Sequence, residues 1–268
     1  MTEQLITSVH NDKVRHVLLL QQKSAERRRE QLFVVEGLRE LGHCLMAGYT
    51  LERLFYCPEA NPQAEAFARR WAVGGDGCYR VAPQVYERMA YRGGTEGVVA
   101  VVRARQLALS DLVLPERPLL MVVEGVEKPG NLGAILRSAD AAGATAVVVC
   151  DPLTDLYNPN LIRSSIGAVF TVPTVATTSE ECIAFLKQSG IRILTAQLQD
   201  SRPYYDTDMQ QPTAIVMGTE ATGLTTQWRE AADAHIRIPM LGRLDSLNVS
   251  VSAAILLFEA VRQRQEQC

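Results

Sequence analysis

Between Ile236 and Ala260 the chain reads Ile-Arg-Ile-Pro-Met-Leu-Gly-Arg-Leu-Asp-Ser-Leu-Asn-Val-Ser-Val-Ser-Ala-Ala-Ile-Leu-Leu-Phe-Glu-Ala, and this stretch constrains the fold more than any other. It predicts a short strand, a loop with Pro239 and Gly242 that is crowded with polar groups, and then a helix. A surface helix carries one apolar stripe about 100° wide. From Val249 to Phe258 there is almost no polar face, so the helix is expected to be buried on most sides. The run falls far short of the roughly 20 residues that cross a bilayer. A buried helix that begins at a Ser-Leu-Asn loop is either the floor of a binding site or a core helix capped by Ser246. Periodicity does not separate the two.

A length of 268 residues fits one large domain or two smaller ones, and 47% apolar with 21% charged residues is ordinary for a globular protein. The first residues, Met1 to Thr7, hold no basic segment leading into an apolar run, and no apolar run is long enough to span a membrane. A cytoplasmic location is expected. The six cysteines, at 44, 57, 78, 150, 182 and 268, lack the close pairing that zinc sites and redox motifs need, so no metal is expected. A net charge of −3 argues against non-specific coating of nucleic acid and leaves room for a local basic patch.

Such a patch is visible at 10–30, where Lys13, Arg15, Lys23, Arg27, Arg28 and Arg29 outnumber Asp12, Glu26 and Glu30. The stretch is either a solvated amphipathic helix or a phosphate-contacting arm. Strands are expected at Leu32–Glu36, Leu51–Cys57 and Gly97–Arg103, with helices at Glu36–Ala47, Pro62–Val73 and Pro83–Tyr91. This first α/β unit holds no His/Asp/Ser cluster and no phosphate-binding glycine loop, which favours a binding module. Residues 105–117, with Pro115, read as a linker. The continuous apolar run Leu119–Val123 then opens a second unit. Further strands near 145–149, 171–175, 191–195, 213–217 and 234–238 alternate mostly with helices, a doubly wound α/β pattern.

Three clusters in the second unit can carry chemistry. The first is Asn131 to Asp140, where Asn131 is expected to cap a helix. Ile135, Leu136, Ala139 and Ala142 form its apolar face and Arg137 lies opposite. Arg137 either pairs with Asp140 in solvent or aims its planar guanidinium at a phosphate or carboxylate. The second is Met217-Gly-Thr-Glu-Ala-Thr-Gly223-Leu224, at the carboxyl end of a strand, where open α/β sheets bind ligands. It is neither a dinucleotide fingerprint nor a P-loop, so an oxidoreductase is poorly supported. The third is the loop with which we began, where Ser246 and Asn248 supply side-chain polar groups.

Taken together, Asn-x-Gly-x-x-x-Arg-Ser-Ala at 131–139, Gly-x-Glu-x-x-Gly at 218–223 and Ile-Pro-Met-x-Gly…Ser-Leu-Asn-Val-Ser-Val at 238–251 resemble the three motifs of the SpoU/TrmH family. Its members are RNA ribose 2′-O-methyltransferases that use S-adenosylmethionine. Asn158 to Gly167 also looks like the family, and the first 100 residues resemble its ribosomal-protein-like RNA-binding domain. The resemblance implies an RNA-binding domain over 1–104 and a methyltransferase domain over 118–268. The latter would be a parallel-sheet (SPOUT) fold whose C-terminal part forms a trefoil knot, and the protein would be a homodimer joined through the C-terminal helix.

By the same resemblance the cofactor would lie bent against Gly218, Ile238 and Leu247, with Met217, Thr219 and Met240 as neighbours. Motif-one residues of one subunit would complete a site with the partner's cofactor. Arg137 would be the general base, assisted by an RNA phosphate, although an arginine that keeps its proton above pH 12 can instead clamp the phosphate and stabilise the alkoxide. Asn131 would position the ribose or Arg137, while Glu220, Ser246 and Asn248 orient the site. RNA contacts are expected at Lys13, Arg15, Arg27, Arg28, Arg29 and Arg163. The expected substrate is large-subunit ribosomal RNA. Transfer RNA is the alternative substrate, and a non-catalytic RNA-binding protein is the alternative from another class.

Overall fold

Alternation of strand and helix builds two sheets in the computed structural model, which describes residues 4–71, 77–90, 96–219, 222–243 and 246–265. The chain divides into two compact units, Met1–Arg105 with Asp155–Gly167 and Gln106–Thr154 with Ala168–Cys268. No helix among the described residues is long and apolar enough to cross a membrane.

The first unit runs β1 (Gln4–Ile6), α1 (Asp12–Gln22), α2 (Ser24–Glu30), β2 (Leu32–Glu36), α3 (Leu38–Met46), β3 (Leu51–Tyr56), α4 (Gln63–Trp71), β4 (Cys78–Val81), α5 (Pro83–Met89) and β5 (Val98–Arg103). Its sheet has the order β1-β4-β3-β5-β2, with β5 antiparallel to both neighbours. The basic stretch folds as two helices. The Asn11 side chain caps α1 by accepting from the Lys13 N–H at 2.9 Å, and extended Lys23 breaks the run before α2. Gln31, at φ 54°, closes α2 in the left-handed region. Val14, Val17 and Leu20 are the buried stripe of α1, packed with Val85 and Met89 of α5 against one sheet face.

The second unit runs β6 (Leu119–Glu124), α6 (Pro129–Ala141) and β7 (Ala146–Cys150). After a short helix α7 (Pro159–Ser164) come α8 (Ala168–Thr171), β8 (Thr174–Thr177), α9 (Ser179–Gln188), β9 (Arg192–Ala196), β10 (Arg202–Pro203), β11 (Thr213–Met217), α10 (Thr226–Ala231), β12 (Ala234–Arg237) and α11 (Val249–Gln265). The sheet order is β10-β12-β9-β11-β6-β7-β8, and every pair is parallel. Strands buried on both faces read as continuous apolar runs, as Leu119–Val123 and Ala146–Cys150 do. Cys182 and Leu186 of α9 and Trp228 of α10 fill one face, while α11 packs along α6 and against β6 and β11 on the other. Leu109, Leu112 and Leu114, from the stretch read as a linker, are partly buried against the first of these cores. The strand expected at 171–175 starts later, because Pro173 cannot donate to a ladder and α8 occupies the preceding residues.

An unbroken second domain over 118–268 is the sequence expectation, yet by its contacts 155–167 groups with the first unit. Tyr157 stacks on Phe33, with ring centroids 4.2 Å apart and planes at 19°, and its hydroxyl accepts from the Arg105 N–H at 3.0 Å. Burial pushes the Tyr157 phenol up, as suits a hydroxyl that stays protonated in this cluster. Arg27 makes the second tie. Its Nε donates to Asp155 Oδ2 at 2.6 Å and its Nη1 to the Leu20 and Gln21 carbonyls at 2.5 and 3.1 Å.

Arg27 therefore leaves the set of expected RNA contacts. Its side chain is 5% exposed, and a guanidinium so enclosed has no face left for a phosphate. Breaking a buried pair strands the other charge, so Arg27→Ala is expected to cost about 3–5 kcal/mol in urea unfolding. Substituting the neighbouring exposed Arg28 by Ala is expected to stay within about 0.5 kcal/mol.

Candidate active site

In an open parallel sheet, ligands bind beyond the carboxyl ends of the strands. Here β6, β9, β11 and β12 end at Glu124, Ala196, Met217 and Arg237. The loops that follow β9, β11 and β12 enclose a cavity of about 360 Å³, within the size range of small-molecule sites. All six residues expected to hold a cofactor line it: Met217, Gly218 and Thr219 from one loop, and Ile238, Met240 and Leu247 from another. Ser246 lines it as well.

The loop after β11 folds back on itself. The Gly223 N–H donates to the Thr219 carbonyl at 3.1 Å, and the Thr219 and Thr222 hydroxyls meet at 2.8 Å. Gly218 lies so close to the returning strand that a Cβ there would sit 2.3 Å from the carbonyl carbon and oxygen of Gly223. Glu220, between them, lies outside the described residues.

At its exit the loop is tied to β6. Glu124 is buried, and its carboxylate accepts from the Thr225 N–H at 2.9 Å and the Thr225 hydroxyl at 2.7 Å. The Ser179 hydroxyl lies 3.1 Å from Glu124 and 2.6 Å from Asp151, and it accepts from the indole N–H of Trp228 at 2.9 Å. A carboxylate removed from water needs such donors. Sequence reasoning missed Glu124. The available signal was an acid closing an apolar strand beside Gly125, at the edge where parallel sheets place their sites. Its neighbour Cys150 is no candidate nucleophile. A hydrogen bond with Cys182 and burial hold that thiol far above its ordinary range.

Motif one forms α6, but Asn131 does not cap it. Pro129 occupies the first helical position, which suits a residue with no N–H to place, so Asn131 falls in the first turn. There its Oδ1 accepts from Asn248 Nδ2 at 3.2 Å, so motifs one and three meet directly. Asn248 also starts α11, its Oδ1 accepting from the Ser250 N–H at 3.0 Å, and Ser246 is not the cap. Arg137 is exposed and forms no ion pair among the described residues, while Asp140 accepts from the Thr171 hydroxyl at 2.7 Å instead. Asn131, Arg137 and Asn248 do not line the cavity, nor does any of the four histidines. His235 is engaged by the Thr195 hydroxyl at 2.6 Å.

In the first unit, Lys13 lies 5.2 Å over the Tyr79 ring. Arg15 and Arg29 pair with acids on their own helices, Asp12 at 3.4 Å and Glu30 at 2.9 Å, exposed contacts too weak to sequester them. Arg28 and Arg163 are exposed, and α7 brings Arg163 into the same unit as the basic helices. Gln197, Arg229 and Arg237 also line the cavity and were not foreseen, although Gln197 and Arg237 stand where the strand-end rule points.

Residues 118–258 match the SpoU rRNA Methylase family, and residues 11–100 match the MRM3-like substrate binding domain. The 23S rRNA (guanosine-2′-O-)-methyltransferase RlmB of Bordetella pertussis is 35% identical over 239 residues, covering 82% of this chain and 98% of that one. The crystal structure of AdoMet-bound rRNA methyltransferase from Sinorhizobium meliloti matches with a TM-score of 0.89 at 30% identity, over 97% of each chain. The SpoU methyltransferase AviRb from Streptomyces viridochromogenes in complex with AdoMet matches with a TM-score of 0.87 at 29% identity, over 96% of this chain and 100% of that one. With its parallel-sheet α/β fold, its smaller N-terminal unit and all three motifs at one sheet edge, the chain belongs to the SpoU rRNA methylase family.

Proposed function

We propose that this protein transfers a methyl group from S-adenosylmethionine to a ribose 2′-hydroxyl of large-subunit ribosomal RNA. One observation carries the reading: two separate loops, one through Met217, Gly218 and Thr219 and the other through Ile238, Met240, Ser246 and Leu247, line a single cavity beyond the sheet edge. The cavity fits the cofactor in two ways. Gly218 exposes bare backbone to it, and Gln197 Oε1, buried on its wall, has no hydrogen-bond partner among the described residues. An orphaned buried acceptor calls for a donor, and S-adenosylmethionine carries amines at both ends. Met217, Ile238, Met240 and Leu247 supply apolar wall for the adenosine.

The cofactor supplies an activated methyl on its sulfonium. The chain's own residues must orient the ribose and take up the charge that develops on its oxygen. No histidine lines the cavity, so the task falls to Arg137, a permanent cation that clamps the neighbouring phosphate and stabilises the forming alkoxide. Asn131, tied to Asn248, fixes the first turn of the helix that carries Arg137.

Arg137 does not line the cavity of its own chain, which supports a homodimer in which it serves the partner's cofactor. Val251 and Phe258, 47% and 48% exposed, lie seven residues apart and so form one stripe on α11, apolar surface suited to a second copy. Phe258→Asp is expected to give a monomer by light scattering that binds S-adenosylmethionine within about twofold of wild type and transfers no methyl. A dimeric Phe258→Asp protein would remove α11 from the interface.

Lys13, Arg15, Arg28, Arg29 and Arg163 would contact RNA phosphates. The matched relative's name specifies 23S rRNA, which supports ribosomal over transfer RNA and fits a cytoplasmic location. Labelled methyl should pass from cofactor to deproteinised ribosomal RNA and not to transfer RNA. RNA binding without any transfer would favour the non-catalytic reading.

A further inference from the structure

Among the described residues the charge on the cavity wall is one-sided. Arg229 and Arg237 line it, and no Asp or Glu does so among the described residues. Arg237 closes β12 one residue before Ile238, and its Nη1 donates to the Ser201 carbonyl, which fixes the guanidinium stem. Arg229 follows Trp228, whose ring is fully buried and bonded to Ser179, so its backbone is anchored. Arg229 itself is exposed at the rim, and among the described residues it forms no ion pair. Two guanidinium groups on a wall whose other described residues are apolar or neutral favour an anion. The cofactor has one anionic group, the carboxylate of its methionine part. Its sulfonium and ammonium are cations that these arginines repel.

We propose that Arg229, which shares the cavity wall with Arg237, recognises the methionine carboxylate and so distinguishes S-adenosylmethionine from adenosine compounds that lack it. The inference rests on the cofactor site described above. Arg229 acts on cofactor selection, in contrast to Arg137, which acts on transfer.

Isothermal titration of the full-length protein with two ligands tests this. One is S-adenosylmethionine, and the other is decarboxylated S-adenosylmethionine, which keeps sulfonium, ammonium and adenosine. Wild type should prefer the intact cofactor by about tenfold or more, the scale of a charge-assisted hydrogen bond. Arg229→Gln should lose about that factor for the intact cofactor and bind the decarboxylated one within about twofold of wild type, while Arg229→Lys recovers part of the loss. Equal losses for both ligands would mark a structural role and overturn the proposal. So would unchanged cofactor affinity, whether or not RNA affinity in a filter-binding assay falls, since a fall there assigns the guanidinium to an RNA phosphate. A wild-type protein that binds neither ligand overturns the cofactor site and this inference with it. One that binds both equally overturns the inference alone.

Discussion

Arg137→Ala is expected to slow methyl transfer by about a thousandfold or more while changing the affinity for S-adenosylmethionine less than twofold. Loss of one preorganised group facing developing negative charge costs about 10²–10³ in rate, and loss of a clamp that orients the ribose adds to it. The split between rate and cofactor affinity follows from geometry, since Arg137 is exposed on α6 and does not line the cavity of its own chain. Arg137→Lys keeps a cation but loses the planar fork, so it should recover only part of the rate. Single-turnover transfer to ribosomal RNA, with cofactor titration alongside, checks both halves. An Arg137→Ala enzyme with most of its activity would remove this residue from the chemistry.

Gly218→Ala should act in the opposite way, on binding before rate. The added methyl would lie 2.3 Å from the Gly223 carbonyl and 2.5 Å from the Leu224 nitrogen. Those are backbone atoms of the strand that returns beside it, so relief requires the loop to open. Overpacking of this kind costs about 1–3 kcal/mol or more, and because the same loop walls the cavity, cofactor affinity should fall about a hundredfold or beyond detection. Gly223→Ala is the internal contrast. Nothing lies within 4 Å of its Cβ, and only its φ of 66° is strained. It should cost about 1 kcal/mol in thermal unfolding and keep most of the cofactor affinity.

The parts of this molecule that sequence makes visible are those with a local cause. Five-residue apolar strands announce a sheet covered on both faces, and motifs two and three meet because each follows a parallel strand. Strands β1, β4 and β10 stay hidden, being two to four residues long and too short to establish alternation. The cap expected at Asn131 failed because Pro129 starts the helix first, a signal that was present and outweighed by the preference of Asn for caps. Arg27 is the opposite case. In sequence it is one of a run of like charges, and its partner Asp155 lies 128 residues away, so nothing local marks it as buried. Gln197 and Arg237 belong to no motif and are marked only by their place at strand ends, while Arg229 emerges only where loops converge.

The apolar helix at 249–258 was expected to be buried on most sides. Ala253, Leu256 and Leu257 are buried, while Val251 and Phe258 remain exposed, so the burial covers one side of the helix only.

Transfer to large-subunit ribosomal RNA can be tested by mapping 2′-O-methylated riboses in ribosomal RNA from a strain that lacks this protein. A methyl group should be missing from a large-subunit ribose, the wild-type gene should restore it, and the Arg137→Ala gene should not. An unchanged set of ribose methylations, or restoration by Arg137→Ala, would contradict this transfer.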